Sequence, residues 1–289
     1  MQFLLLQIIM LSTFLNGLQE SVISKRHLID QASHVRRKLQ LQTGEPFPPT
    51  PNELYFPSSY KQSYGQRGFC NWLIPGHVMI GQYPGQTPES HGPKASEVER
   101  HVDGIVTDAR IRMFCSLQSE VPRQDDYSAW NDVGGSRGVQ LPIGGGREDF
   151  PGYFTHYAPL VKDALKKTHS SAQDSENTFV HAPILDLNTP SSASLLSLLS
   201  TILDGLQEEK GAIYIHCWGG RGRAGLVGAC LLSLVFPELD AKDCLQWVQR
   251  GYDTRAGAMF MPFGLRKSPQ TAGQRDFVSN FVQDSIDAL

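Results

Sequence analysis

The sequence of 289 residues predicts an α/β domain in which a central, mostly parallel sheet is flanked by helices. Segments typical of strands alternate along the chain with segments typical of helices. The clearest strands, such as residues 212–216 (AIYIH), are short and apolar throughout, as expected for strands that are buried on both faces of a sheet. Because such sheets bind ligands at the carboxyl ends of their strands, we expect a functional site there.

Residues 1–68 are predicted to precede the folded domain as a leader and a linker. They open with an apolar stretch of signal-peptide length (MQFLLLQIIMLSTFL), which indicates either a targeting segment or a hydrophobic N-terminal helix. Residues 41–67 are rich in Pro, Ser, Gln and Tyr without periodicity, which favours a linker. No later stretch is apolar over the length of a bilayer span, so no integral membrane domain is expected beyond the leader. Removal of a targeting segment would leave a cytoplasmic or organellar protein, and the sequence does not choose between the two.

The predicted catalytic domain covers residues 69–289. Its strands are predicted from short apolar runs between turn residues, at positions 71–74, 77–80, 111–117, 178–185 and 212–216. Its helices are predicted from apolar side chains that recur on one face, at positions 94–109, 151–168, 192–210, 224–235, 240–250 and 271–287. Residues 118–149 form a long polar and glycine-rich loop, and loops of this length usually carry a function or are disordered.

Charge and cysteine content exclude several classes of function. The chain has 26 Lys and Arg against 29 Asp and Glu, a formal net charge of −3, so nucleic-acid binding through a general basic excess is not expected. The five cysteines are odd in number and contain no CxxC pair, which argues against a disulfide framework and against a zinc site. We therefore predict no metal and no cofactor. Four cysteines are expected to be ordinary buried thiols because they lie in apolar segments: Cys70, Cys115, Cys230 and Cys244.

The fifth cysteine, Cys217, ends the strand 212–216 and opens a glycine-rich turn before an apolar helix. Such a turn points backbone N–H groups and the positive end of the helix dipole at one place, which makes it a cradle for an anion such as phosphate. Gly219, Gly220 and Gly222 allow the positive φ angles and the close approach that this wrap requires. Arg223 lies six positions after Cys217, so its guanidinium is expected to hold two phosphate oxygens while the thiol lies beneath the phosphorus.

The same electrostatic field is expected to ionise the thiol. A free cysteine titrates near ~8.5, and helix N-termini or adjacent cations lower this pKa to roughly 3.5–7.5, which yields a nucleophile at neutral pH. His216 is then expected to orient the loop rather than to act as a base. Arg221 either favours a substrate with several phosphates or is a solvated cation. Trp218 either walls the pocket or packs beneath the loop.

The segment HCWGGRGRAG, residues 216–225, resembles the signature loop of the cysteine-based protein tyrosine and dual-specificity phosphatases, HCxxGxxR followed by Ser or Thr. The resemblance implies a tyrosine-phosphatase-like fold, a phosphocysteine intermediate on Cys217 and a phosphoryl group held by Arg223. Residues 71–85 are similar to the first hairpin of microbial and plant members, and residues 268–281 to their C-terminal helix with its SPxTxxQxxFV pattern. The implied substrate is a phosphorylated protein or another phosphomonoester, and phosphotyrosine, phosphoserine or phosphothreonine, phosphoinositide and nucleotide substrates remain open.

The resemblance also implies a general acid on a separate loop. Asp186 in HAPILDLNTP follows a strand and is stiffened by flanking prolines, so it is the expected acid; the alternative is an ordinary turn residue. Asp204 is second in rank, although it falls inside the predicted helix 192–210 and would be fixed there. Gln274 either positions water for the second step or lies on a helix surface.

The departure from the family pattern is Ala224, which stands where the family has Ser or Thr. The missing hydroxyl would otherwise hydrogen-bond the cysteine sulfur and improve it as a leaving group. We therefore expect slow hydrolysis of the intermediate rather than inactivity. Two alternatives remain at this stage: a pseudophosphatase or phosphate-binding module with little turnover, and a sulfurtransferase that carries a persulfide on Cys217.

Overall fold

The computed structural model describes residues 23–43, 48–56, 68–87, 93, 95–126, 128–129, 139–140, 153–168, 177–259 and 261–287. The apolar start of the predicted leader and most of the predicted long loop lie outside these residues. Within them, no helix is both long enough and apolar enough to cross a membrane.

A five-stranded mixed sheet forms the centre of the molecule, with the strand order β1-β2-β7-β3-β6. Strands β1 and β2 pair antiparallel, whereas β2, β7, β3 and β6 run parallel to one another. A separate two-stranded antiparallel sheet pairs β4 with β5. The strands are β1 (Cys70–Ile74), β2 (Val78–Gly81), β3 (Ile111–Gln118), β4 (Val139–Gln140), β5 (Tyr153–Phe154), β6 (Thr178–Ile184) and β7 (Ala212–His216).

Helices cover both faces of this sheet. They are α1 (Lys25–Lys38), α2 (Pro51–Leu54), α3 (Ala95–Thr107), α4 (Ala158–Thr168), α5 (Ser192–Glu208), α6 (Arg223–Val235), α7 (Ala241–Asp253), α8 (Ala256–Met259) and α9 (Ala272–Asp287), with a short 3-10 helix over Phe263–Leu265. The apolar side chains of α1, α5, α6, α7 and α9 form one core. Those of α3 and α4 form the other, so the fold is the α/β arrangement that the sequence predicts.

Local sequence signals explain where the helices around the site begin. The Ser191 hydroxyl accepts a hydrogen bond from the Ser194 backbone N–H, at 3.2 Å, and so caps α5. The Asp240 carboxylate caps α7 in the same way through the N–H of Asp243, at 2.8 Å. Helix α6 is apolar on every side and buried along its whole length, because it lies between the sheet and the helices α7 and α9.

Two predicted elements differ from the structure. The helix predicted from residue 151 begins at Ala158, because Tyr153 and Phe154 are drawn into β5 by pairing with β4. Within the predicted leader and linker, residues 25–38 form α1, whose Leu28, Ala32 and Val35 are fully buried against the domain. The boundary at residue 69 stays a prediction, although α1 lies before it and packs on α5 and α6.

Strand β7 positions the site because it lies at the centre of the sheet, between β2 and β3. Its last residue is His216, and α6 begins at Arg223. The strand-end loop, residues 217–222, is therefore held between a buried strand and a buried helix. Gly220 in this loop has φ +69°, and a Cβ there would lie 2.2 Å from the carbonyl carbon of Gly81, so the loop requires glycine at this point.

Candidate active site

A cleft of about 280 Å³ opens at the carboxyl end of β7, and we call it the strand-end cleft. Cys217, Arg223 and Asp186 all line it, so the three residues predicted to perform the chemistry meet in one place. Trp218, Gly219, Arg221 and Gly222 also line it, together with residues that the sequence did not single out: Gln82, Tyr252, Gly257, Met261 and Gln270. The Cys217 side chain is almost completely covered.

Arg223 is the first residue of α6, and its guanidinium is 1% exposed. Nη1 donates to one carboxylate oxygen of Glu120 at 2.9 Å, and Nη2 lies 2.8 Å from the other oxygen. Nη1 also donates to the Ile184 carbonyl at 3.0 Å, and Nη2 lies 3.0 Å from Oδ1 of Asp186. Burial would lower the pKa of Arg223, but the neighbouring Cys217, Glu120 and Asp186 outweigh it, so the pKa is raised.

Asp186 lies just after β6 in a short turn, with its side chain about half exposed. The turn is tied to the start of α9: the Thr271 hydroxyl donates to the Leu187 carbonyl at 3.4 Å. Gln274 Nε2 donates to the Asn188 carbonyl at 3.0 Å. The carboxylate thus projects into the strand-end cleft from a loop that is anchored at its far side. Asp204, second in rank as the acid, instead accepts a hydrogen bond from Gln31 on α1.

His216 is fully buried beneath the strand-end loop. Its Nε2 lies 2.7 Å from the hydroxyl of Tyr157, and burial lowers the pKa of the imidazole to about 3. The ring is therefore neutral at physiological pH, and burial also raises the pKa of Tyr157 well above its usual value. A neutral imidazole that is hydrogen-bonded to a tyrosine agrees with the prediction that His216 orients the loop, which stays a prediction.

The remaining predicted residues occupy defined places around the loop. Trp218 lines the strand-end cleft and also packs edge-on against Phe154, with ring centroids 4.9 Å apart. It therefore contacts both the cleft and the aromatic side chains beside it. Arg221 lines the cleft while its Nη1 donates to the Leu265 carbonyl at 2.8 Å. Ala224 is fully buried in the first turn of α6.

Gln274 is fully buried, so the alternative that placed it on a helix surface is wrong. Its Oε1 accepts hydrogen bonds from the N–H groups of Gln270 and Thr271 at 3.1 and 3.2 Å. The same oxygen would lie 3.2 Å from a Cβ at Gly222, so Gln274 packs directly against the strand-end loop. Its suggested part in positioning water stays a prediction.

Two charged residues of the site were missed by sequence reasoning. Glu120 lies just after β3, inside the segment predicted only as a long loop, and its spacing to Arg223 carries no signal. Arg255 lies between α7 and α8 and is fully buried. Its Nε donates to Oδ1 of Asn71 at 2.5 Å and its Nη1 to the Gly220 carbonyl at 2.8 Å, so it holds the strand-end loop from behind.

The other four cysteines are buried and unpaired by disulfides, as the sequence predicts. Burial raises the pKa of Cys115 and of Cys244 to about 12, and it raises that of Cys230 further. These thiols stay protonated at neutral pH and are not nucleophiles. Cys217 differs from them in facing the strand-end cleft beside Arg223.

Comparison with known proteins gives one family match. Residues 158–277 match the family model described as "PTP-SAK: Swiss Army Knife protein, DSP-PTPase phosphatase domain". The matched span contains Asp186, Cys217, Arg223 and Gln274. No curated protein matches the sequence.

Several solved structures are similar at low identity. Tk-PTP in its active form is 18% identical, with a TM-score of 0.42, over 75% of this chain and 96% of that chain. Kinase associated phosphatase with its catalytic cysteine replaced by serine is 18% identical, with a TM-score of 0.42, over 73% and 88%. PTPMT1 in complex with PI(5)P is 11% identical, with a TM-score of 0.44, over 76% and 97%.

The family model and the sequence pattern agree on the same segment. The match spans the strand-end loop, both of its flanking elements and the turn that carries Asp186. Residues 158–277 are therefore similar to a phosphatase domain of the dual-specificity type.

Proposed function

We propose that the protein hydrolyses phosphomonoesters through a phosphocysteine intermediate on Cys217. The observation that carries the proposal is the meeting of Cys217, Arg223 and Asp186 in one cleft at the amino end of a buried helix. A nucleophile, a cation with two parallel donors and a carboxyl group are the three groups that phosphoryl transfer from an ester requires. The proposed substrate is a phosphorylated protein or a related phosphomonoester.

In the first step the Cys217 thiolate attacks phosphorus, and the S–P bond forms as the bond from phosphorus to the ester oxygen breaks. The leaving oxygen takes a proton from the Asp186 carboxyl group. In the second step water attacks phosphorus and gives its proton back to Asp186, while the S–P bond breaks and the thiolate is restored. Arg223 and the backbone N–H groups of the strand-end loop bear the charge on the phosphoryl oxygens in both steps.

In this proposal, substrate binding must separate Asp186 from Arg223. Without substrate, Nη2 of Arg223 lies 3.0 Å from Oδ1 of Asp186. A general acid must face the leaving oxygen, and a carboxyl group held by a guanidinium is not free to do so. A phosphoryl group that takes over Nη2 would release Asp186 for this part. Glu120 would keep its hold on Arg223 and so fix the orientation of the guanidinium.

The decisive test is hydrolysis of p-nitrophenyl phosphate by the full chain and by Cys217→Ser. We expect the substitution to abolish turnover, because a serine hydroxyl is not ionised at neutral pH. Cys230→Ala is the matched control, since Cys230 lies in the same strand–loop–helix unit but is fully buried in α6. Retention of most activity in Cys217→Ser would rule out the mechanism.

A second candidate function is a phosphate-binding module with little turnover. It is favoured by Ala224, which cannot offer a hydroxyl to the sulfur, and by the carboxylates that already occupy Arg223. Asp186→Asn separates the two candidates. If the protein is an enzyme, loss of the acid lowers the hydrolysis rate by about 10²–10⁴-fold, most of all for substrates with poor leaving groups. Negligible turnover that is indifferent to this substitution, together with phosphopeptide binding, would favour the module.

A further inference from the structure

A second concave site lies beside the strand-end cleft, between α7 and α9, and we call it the basic groove. Its volume is about 750 Å³, which falls in the range of protein binding pockets. Four cationic side chains line it: Lys242, Arg250, Lys267 and Arg275. Its lining contains one carboxylate, Asp253, and that group accepts a hydrogen bond from Arg266 at 2.8 Å.

Among the residues that the structure describes, none of the four cations of the basic groove forms an ion pair with a carboxylate. Arg250 donates to the Pro48 carbonyl at 3.0 Å, and Arg275 donates to the Pro269 and Gln270 carbonyls at 2.9 and 3.1 Å. Backbone carbonyls fix these guanidiniums in place without cancelling their charge. The groove is thus a local positive region on a chain whose formal net charge is −3.

The basic groove and the strand-end cleft share one wall. Ser268 lines the groove, and Gln270, two positions later, lines the cleft. The Ser268 hydroxyl donates to the Arg221 carbonyl of the strand-end loop at 2.8 Å. Two residues of extended chain cover only about 7 Å, so the linings of the two sites come close together at this segment.

We propose that the basic groove binds an acidic segment of a protein substrate, next to the phosphorylated residue that enters the strand-end cleft. Carboxylates of the segment would pair with Lys242 on α7 and with Lys267 on the segment before α9, both of which line the groove. A concave groove between two helices suits a narrow peptide, whereas an anionic membrane requires a flat or convex basic face. Binding of the acidic segment stands apart from the proposed hydrolysis, but its alignment with a phosphorylated residue rests on that function.

The test uses the full chain with Cys217→Ser, so that no probe is consumed. Fluorescence anisotropy would compare a labelled Glu-rich peptide with its Gln-substituted counterpart, at low and at high salt. We expect the Glu-rich peptide to bind about tenfold or more tightly at low salt, with the difference shrinking as salt screens the charges. The added substitutions Lys242→Glu and Lys267→Glu should remove the difference, because they reverse both ammonium charges.

The matched control is Lys210→Glu, the same charge reversal on an exposed lysine that precedes β7, at the opposite end of this strand. It should leave peptide binding within about twofold at physiological salt, because Lys210 does not line the groove and the Debye length is then about 8 Å. Hydrolysis of p-nitrophenyl phosphate by each lysine variant with Cys217 intact, or an unchanged circular dichroism spectrum, shows that the fold is retained.

Three results would overturn the proposal. In the first, the chain binds the Glu-rich and the Gln-substituted peptides equally. In the second, Lys210→Glu weakens binding as much as the double variant does. In the third, vesicles of phosphatidylserine and phosphatidylcholine bind through Lys242 and Lys267 while the peptide does not. Peptide binding without any hydrolysis by the wild-type chain would instead contradict the proposed function and leave the groove proposal standing.

Discussion

Arg223 and Arg255 are both buried and both adjoin the strand-end loop, but they are held by different partners. Arg223 faces the cleft and is paired with the carboxylates of Glu120 and Asp186. Arg255 lies behind the loop and donates to two neutral oxygens, those of Asn71 and Gly220. The pKa of Arg223 is raised, whereas burial lowers that of Arg255.

Under the proposed function, this difference separates a guanidinium that binds a ligand from one that holds the backbone. A charge paired with two carboxylates can exchange one of them for phosphoryl oxygens, because one anion replaces another. Arg255 is hydrogen-bonded to a loop carbonyl and to a buried amide, so it has no anion to exchange for a ligand. Its hydrogen bonds instead fix the position of the loop. Both positive charges nevertheless interact electrostatically with Cys217.

The largest effect is expected from Arg223→Lys. An ammonium group cannot offer two parallel donors to a phosphoryl group, and loss of one such donor in a transition state costs about 10²–10³-fold in rate. We expect kcat/KM for p-nitrophenyl phosphate to fall by at least about 10²-fold. Arg221→Lys is the control in the same loop and should change kcat/KM only slightly with this single-phosphate substrate. Equal losses in the two variants would contradict the assignment of Arg223 as the phosphoryl-binding group.

A smaller effect on rate, accompanied by a loss of stability, is expected from Arg255→Lys. A lysine cannot bond Asn71 and Gly220 together, so one buried hydrogen bond to a charged group is lost, at a cost of about 1.5–3 kcal/mol in the free energy of unfolding. Displacement of the loop should lower kcat by about tenfold. Urea unfolding and steady-state kinetics measure the two quantities. Arg112→Lys is the control, since Arg112 also donates to backbone carbonyls but lies on β3. A variant that loses activity without losing stability would place Arg255 in the chemistry rather than in the scaffold.

The two arginines also mark how far the sequence could predict the site. Arg223 was predicted because it follows Cys217 at a fixed spacing along one loop, and Asp186 because the family resemblance implies an acid and this residue follows a strand in a turn flanked by prolines. Local patterns likewise gave β7 and nearly all of α5 and α6, whose apolar residues are buried as their spacing predicts. Such signals depend on neighbours in the chain.

Arg255 and Glu120 left no such signal, because their partners are distant in sequence. Glu120 contacts Arg223 across β3 and β7, and Arg255 reaches Asn71 on β1 and Gly220 in the loop. The start of α4 was misplaced for the same reason, since the pairing of β4 with β5 is a tertiary contact. What the sequence predicts here is the chemistry carried by one loop, while the residues that hold the loop emerge only from the fold.

The smallest effect on the site is expected from Ala224→Ser, in the helical turn that follows Arg223. Ala224 is fully buried, so an added hydroxyl needs an acceptor, and the sulfur of the intermediate is the acceptor that the family resemblance implies. A hydrogen bond to sulfur would speed hydrolysis of phosphocysteine and leave its formation unchanged. We expect the steady-state rate to rise several-fold but less than tenfold, which corresponds to less than about 1.4 kcal/mol in activation free energy.

Rapid-mixing kinetics can isolate this step, because a slow second step releases p-nitrophenol in a burst before the steady state. The burst should be prominent in the wild-type chain and reduced in Ala224→Ser, with the same initial rate in both. Ala229→Ser is the control, since Ala229 is equally buried on α6 but lies in a later turn, and it should retain the wild-type burst. A serine at position 224 that leaves both the burst and the steady-state rate unchanged would show that formation of the intermediate, governed by Cys217 and Arg223, limits turnover.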